Sequence, residues 1–206
     1  MHKAIWLDTI NQEKIIQYKK LTGGVSSEVY YVKTIKNNYC IKRSLKRLLV
    51  KKKWIANTNR IKFEYLWLKH CKNILKRNIP NTYEFNNKKK YIVMEYLKTS
   101  QYKTLKQLYF NKIININTIR SISKHLYKIH SNSSNYKTKK TFEGNYKNFY
   151  DLRLDPYFNE VGRVYPKYKH LDYVHYLLGV CHFEQIVDEK KDLGAIKNAK
   201  IKFEYV

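Results

Sequence analysis

Leu21-Thr22-Gly23-Gly24-Val25-Ser26-Ser27-Glu28-Val29-Tyr30-Tyr31-Val32 is the stretch on which the fold turns, with Ile41-Lys42-Arg43 a short way downstream. A Gly-Gly pair between runs rich in Val and Tyr reads as a hairpin turn joining two strands. The spacing predicts strands over 17–21, 28–35 and 39–42, the last two separated by the turn residues Asn37-Asn38. On its own a Gly-Gly hairpin is only a turn. It is not a P-loop, because no Gly-Lys-Ser/Thr follows. Glycines do leave backbone N–H groups uncovered, so a phosphate chain could approach closely.

Outward from this stretch, Lys42 closes the third strand, where a lysine beneath such a turn could neutralise phosphate charge. Residues 59–72 have helical periodicity, with Ile61, Tyr65 and Leu68 on one face and Glu64 on a neighbouring track. A helix carboxylate 22 residues after Lys42 could pair with it and hold it extended. The segment 43–56 is basic and reads as a loop or a short helix. Pro80 interrupts the chain, and 82–85 with 91–96 form a second hairpin across the polar turn 86–90. Tyr91-Ile92-Val93-Met94-Glu95-Tyr96-Leu97 is an apolar strand ending in a connector whose backbone could pair with an adenine edge.

Beyond Leu97 the pattern turns helical, over 104–110, 117–130 and 151–164, with 131–140 expected as a polar loop. Ile119, Ile122, Leu126 and Ile129 make one apolar stripe. Strands first and helices after predict an α+β chain of two lobes hinged near 96–100. The expected divisions are 1–97, 98–168 and 169–206.

The order and spacing of these elements resemble the N-terminal lobe of aminoglycoside phosphotransferase-like kinases, a choline kinase-type, protein-kinase-like fold. The carriers are 21–32, Ile41-Lys42-Arg43, Arg60-Ile61-Lys62-Phe63-Glu64-Tyr65-Leu66 and Val93-Met94-Glu95-Tyr96-Leu97. Leu126-Tyr127-Lys128-Ile129-His130 and the run from Asn148 to Tyr157 extend the likeness over roughly 15–168. The resemblance implies a bilobal kinase fold binding ATP and Mg2+ between its lobes and phosphorylating a small-molecule hydroxyl. Gly23 and Gly24 would cover the phosphates, Lys42 would contact them, Glu64 would hold Lys42, and Met94, Glu95, Tyr96 and Leu97 would form the hinge.

The likeness stops at the chemistry. The family's catalytic loop resembles His-Gly-Asp with an Asn five residues after the Asp. Here His170-Leu171-Asp172 is followed at that distance by Leu177, which cannot ligate magnesium. Asp172 is the candidate catalytic carboxylate, and Asp188 and Asp192 are the candidate metal carboxylates. Only 34 residues follow Asp172, so 169–206 is expected to be a truncated tail, a frame-shifted tail or the remnant of a split gene. Loss of the rest of the lobe would leave an apolar helical face uncovered, open to a separate chain that completes it or to another protein. The alternatives to a phosphotransferase are a degenerate pseudokinase that binds nucleotide or a partner, and a basic nucleic-acid-binding protein.

The net charge of +26, from 42 Lys and Arg against 16 Asp and Glu, attracts phosphate. Lys, Asn, Ile and Tyr are over-used together, however, and all have A/T-rich codons. The basic residues run along the whole chain, which favours coding bias over a dedicated basic face. No helix-turn-helix, zinc-finger or RNP-like pattern supports nucleic-acid binding. Cys40, Cys71 and Cys181 lack C-x-x-C spacing, which points to reduced thiols and a cytoplasmic setting rather than to zinc or disulfides. Residues 1–20 have no long apolar core, so no signal peptide is expected, and no run is apolar enough to suggest a transmembrane helix.

Overall fold

The computed structural model describes residues 9–10, 13–51, 53–186, 188, 190 and 192–206. The chain is mixed α and β, and it divides between Asn145 and Tyr146 into two compact units.

The first unit is built on an antiparallel sheet. Its strands are β1 (Thr9–Ile10), β2 (Glu13–Leu21), β3 (Ser27–Thr34), β4 (Asn38–Ser44), β5 (Thr82–Asn86) and β6 (Tyr91–Glu95). Their order is β1-β2-β3-β4-β6-β5. β-Branched and aromatic residues suit a pleated, half-buried surface, and β3, β4 and β6 carry them in alternation. The register pairs Tyr30 with Ile41, Val32 with Tyr39 and Ile41 with Val93. Cross-strand partners share a face, so these residues, with Tyr91 and Ile10, form one buried core layer. The alternate set, Val29, Tyr31, Cys40, Lys42, Ile92 and Met94, occupies the opposite face.

Helix α1 (Arg60–Leu75) lies against that opposite face. Tyr65 stacks on Phe85 of β5 at 4.7 Å, and Ile61 and Ile92 are fully buried. Lys76, at φ +54°, ends the helix. The 43–56 segment contains no helix among its described residues; Arg43 and Ser44 complete β4, and beyond them a loop is closed by an Arg47–Ile55 bridge.

Three helices follow β6: α2 (Leu105–Phe110), α3 (Ile116–Ser133) and α4 (Tyr136–Thr141). Each starts on an uncharged cap. Thr104 and Gln107 form a capping box, the Asn115 Oδ1 accepts from the Thr118 N–H at 3.0 Å, and that of Asn135 accepts from the Thr138 N–H at 2.9 Å. The expected loop over 131–140 is therefore corrected: α3 runs on to Ser133, and α4 begins after the Asn135 cap. The last turns are fixed against α1. His70 Nε2 lies 2.9 Å from the Ser133 hydroxyl, and Trp67 meets Phe142 edge to face at 5.5 Å. Much of the predicted stripe on α3 is open, with Ile119 and Leu126 each half exposed.

The second unit is helical: α5 (Tyr146–Phe149), a wide segment Tyr150–Asn159, α6 (Glu160–Val164), α7 (Leu171–Phe183) and α8 (Leu193–Phe203). The helix predicted over 151–164 exists, but it is over-wide through Asn159, and the Glu160 N–H reaches back five residues to the Asp155 carbonyl. Pro156 lies inside this stretch; it lacks an N–H and disfavours a regular α-turn. Helices α7 and α8 pack closely: a Cβ on Gly179 would lie 2.6 Å from the Phe203 ring. Leu154, Leu178, His182 and Ala199 are buried. Among the described residues, no helix is long and apolar enough to cross a membrane.

Candidate functional site

The site grows from the alternation of the sheet. Lys42 pairs across strands with Val29 and Ile92, which turns its side chain to the α1 face. Glu64 sits one helical turn after Arg60 on α1. The two charges meet, with Lys42 Nζ 2.6 Å from Glu64 Oε1 and the side chains 30% and 34% exposed. That exposure matters, because a third partner such as a phosphate could still reach the ammonium.

The turn between β2 and β3 is exposed at Thr22, Gly23, Gly24 and Val25. Gly23 has φ +108°, a conformation that L side chains rarely adopt, and this is the physical reason for glycine there. Lys20 and Glu28, flanking the turn on β2 and β3, form an ion pair at 3.1 Å.

Beside Lys42 the same face is apolar and half open. Val29, Tyr31, Cys40, Met94 and Tyr96 are all half-buried. The Tyr31 and Tyr96 rings lie 4.6 Å apart. The Cys40 thiol is pushed up to about 11, first by burial, with the Lys42 charge opposing the shift and Glu64 adding to it. Cys40 is therefore a neutral, compact apolar wall.

Of the expected hinge residues, Glu95 is already committed. Its N–H donates to the Asn81 carbonyl at 2.8 Å, and its carboxylate accepts from the Asn81 backbone and side-chain amides at 3.0 and 3.1 Å. The Glu95 N–H is thus not available to a base at this edge.

The sequence reading missed Arg60. Its Nη1 donates to the Asn57 carbonyl at 2.6 Å, and its Nη2 to the carbonyls of Leu45, at 2.8 Å, and Ser26. Burial lowers its pKa from the ordinary arginine value, with Glu64 opposing. The available signal was position: Arg60 precedes Glu64 by four residues, so both lie on one helix face. Also unforeseen is a cavity of about 500 Å³ lined by Arg60, Phe63, Glu64, Trp67, Phe142 and Asn145 among others.

The candidate carboxylates belong to the second unit. Asp172 is exposed in the first turn of α7. The Asp192 carboxylate accepts from the Asp188 N–H at 2.9 Å, and that of Asp188 accepts from the Lys190 N–H at 2.9 Å. Both serve a tight turn. No group of three or more His, Cys, Asp or Glu that could hold a metal ion occurs among the described residues.

No protein-family model matches the chain, and no curated protein sequence matches it.

Proposed function

We propose that the first unit binds ATP as a kinase-like nucleotide module of the aminoglycoside-phosphotransferase type. The observation that carries this reading is the 2.6 Å contact between Lys42 and Glu64. A lysine on the third long strand held by a glutamate on the following helix is the arrangement that protein kinases need before they can hold phosphates. The antiparallel sheet with one helix on the lysine face, and a glycine turn at φ +108° between the first two long strands, support the same fold reading.

In this reading Lys42 opposes the charge of the α- and β-phosphates, and Glu64 keeps the ammonium extended so that little side-chain entropy is lost when the nucleotide arrives. The turn at Gly23 and Gly24 presents backbone amides at close range. Tyr31, Cys40 and Met94 supply an apolar surface for the base. ATP, when bound, supplies a γ-phosphoryl group for transfer to a small-molecule hydroxyl.

The described residues do not fit magnesium. Asp188 and Asp192 spend carboxylate oxygens on backbone amides, and no metal-holding group accompanies them. This observation favours a second reading, a pseudokinase that binds nucleotide without turnover.

The test is a thermal-shift series with ATP, with and without magnesium. The expected result is a saturable rise in melting temperature that Lys42→Ala removes, corresponding to an affinity loss of about 10- to 100-fold. An unchanged shift in Lys42→Ala would overturn the reading, because a charge-only attraction to a chain of net charge +26 hardly changes with one lysine. Turnover assays on amino sugars and choline then separate enzyme from pseudokinase.

A further inference from the structure

We propose that Arg60 is a positioning residue that sets the height of the Gly23–Gly24 turn above the nucleotide phosphates. This rests on the nucleotide-binding reading. The guanidinium sits in the first turn of α1 and gathers three carbonyls from three separate stretches of chain: Ser26 at the trailing end of the glycine turn, Leu45 just after β4, and Asn57 just before α1. Two backbone bonds reinforce the link. The Leu45 N–H donates to the same Ser26 carbonyl at 3.1 Å, and the Leu49 N–H donates to the Val25 carbonyl at 2.8 Å.

Glycine turns are permissive by nature, and the strand pairing either side of this one ends at Leu21 and Ser27. The residues that flank Gly23 and Gly24 on the β3 side are thus held from outside the hairpin, by the 45–57 loop and by Arg60. The same helix face carries Glu64, one turn on, which holds Lys42 at 2.6 Å. Helix α1 therefore grips both halves of the phosphate site: the lid through Arg60 and the floor through Glu64.

The residue type matters. Arginine has five N–H donors in a rigid planar fork, whereas lysine offers a compact ammonium that cannot span three separated carbonyls. A purely structural arginine would affect all ligands of the site alike. One that positions the turn acts only through the phosphates, because the base lies against Tyr31, Cys40 and Met94, none of which Arg60 bonds.

The experiment measures affinities of the full chain for adenosine, AMP, ADP and ATP by calorimetry, for wild type, Arg60→Ala and Arg60→Lys, with far-ultraviolet spectra to show that each variant is folded. The expected result is an ATP and ADP affinity about tenfold weaker in both variants, with adenosine within about twofold of wild type. Arg60→Lys retains the charge and keeps the proposal testable if the alanine variant does not fold. Equal weakening for adenosine and ATP, or no change for either, would overturn the role of Arg60 while leaving nucleotide binding in place. Absence of binding in the wild type would instead remove the nucleotide reading, and the role of Arg60 with it.

Discussion

Lys42 on β4 and Glu64 on α1 are joined through a single contact of 2.6 Å between a strand and the helix that packs on it. Both side chains retain about a third of their exposure, so water competes with the pair and its contribution to stability is small. Glu64→Gln is expected to change unfolding free energy by about 1 kcal/mol or less. Its effect on ATP affinity is expected to be larger, because the ammonium loses the group that orients it. Denaturant unfolding and ATP titration on the same variant check this. A large stability loss with unchanged affinity would make the pair a structural brace only.

Gly23 and Gly24 are expected to separate cleanly on substitution. A Cβ on Gly23 meets nothing within 4 Å, so Gly23→Ala suffers only from its φ of +108°, a cost of about 1–2 kcal/mol. Gly24 has no such φ, and its Cβ would lie 3.4 Å from the Ser27 carbonyl oxygen, an ordinary contact. Gly24→Ala is therefore expected to be near neutral, within about 0.5 kcal/mol. Chemical denaturation of the two variants decides it.

Cys40 gives the first unit an alkaline limit. Its thiol ionises near 11 in the folded chain against an ordinary 9.0. Between those values the unfolded chain has already lost a proton that the folded chain retains, so stability falls as pH rises from 9 towards 11. Cys40→Ala is expected to flatten that decline. At pH 8 the folded thiol carries about 100-fold less thiolate than an ordinary cysteine, and its alkylation, followed by mass spectrometry, is expected to be slowed in proportion.

His182 and His175 give the second unit an acid limit. Burial lowers both below the ordinary 6.5, and Lys202 adds to the effect. The unfolded chain then takes up protons that the folded unit refuses, so stability is full above pH 6.5 and declines as pH falls below it. Lys202→Met is expected to soften this decline. Helical circular dichroism followed across this pH range, on wild type and Lys202→Met, checks it.

β3 to β6 and the second half of β2 were legible because aromatic and β-branched residues recur there and turn residues separate them, whereas β1 and residues 13–16 of β2 were not foreseen. The spacing of Lys42 and Glu64 only permitted a pair, and the resemblance implied one; the two groups do meet, at 2.6 Å. The loop expected over 131–140 failed for a physical reason. Lys137, Lys139 and Lys140 look like solvated loop, yet lysine is a good helix former once Asn135 supplies a cap. The wide turns before Asn159 follow from how one proline is accommodated, which periodicity does not encode. Arg60 stayed hidden because its partners are backbone carbonyls at Ser26, Leu45 and Asn57, and carbonyls leave no mark in a sequence.

Helices α2, α3 and α4 begin on a hydroxyl or an amide rather than a carboxylate: Thr104, Asn115 and Asn135. None of these groups has a proton to gain in the acid range, and none carries a charge that salt can shield. In vinegar or in brine the start of each helix keeps its hydrogen bond, while the carboxylate pairs elsewhere in the chain weaken. These three helices thus anchor their first turns by chemistry that is indifferent to both acidity and ionic strength.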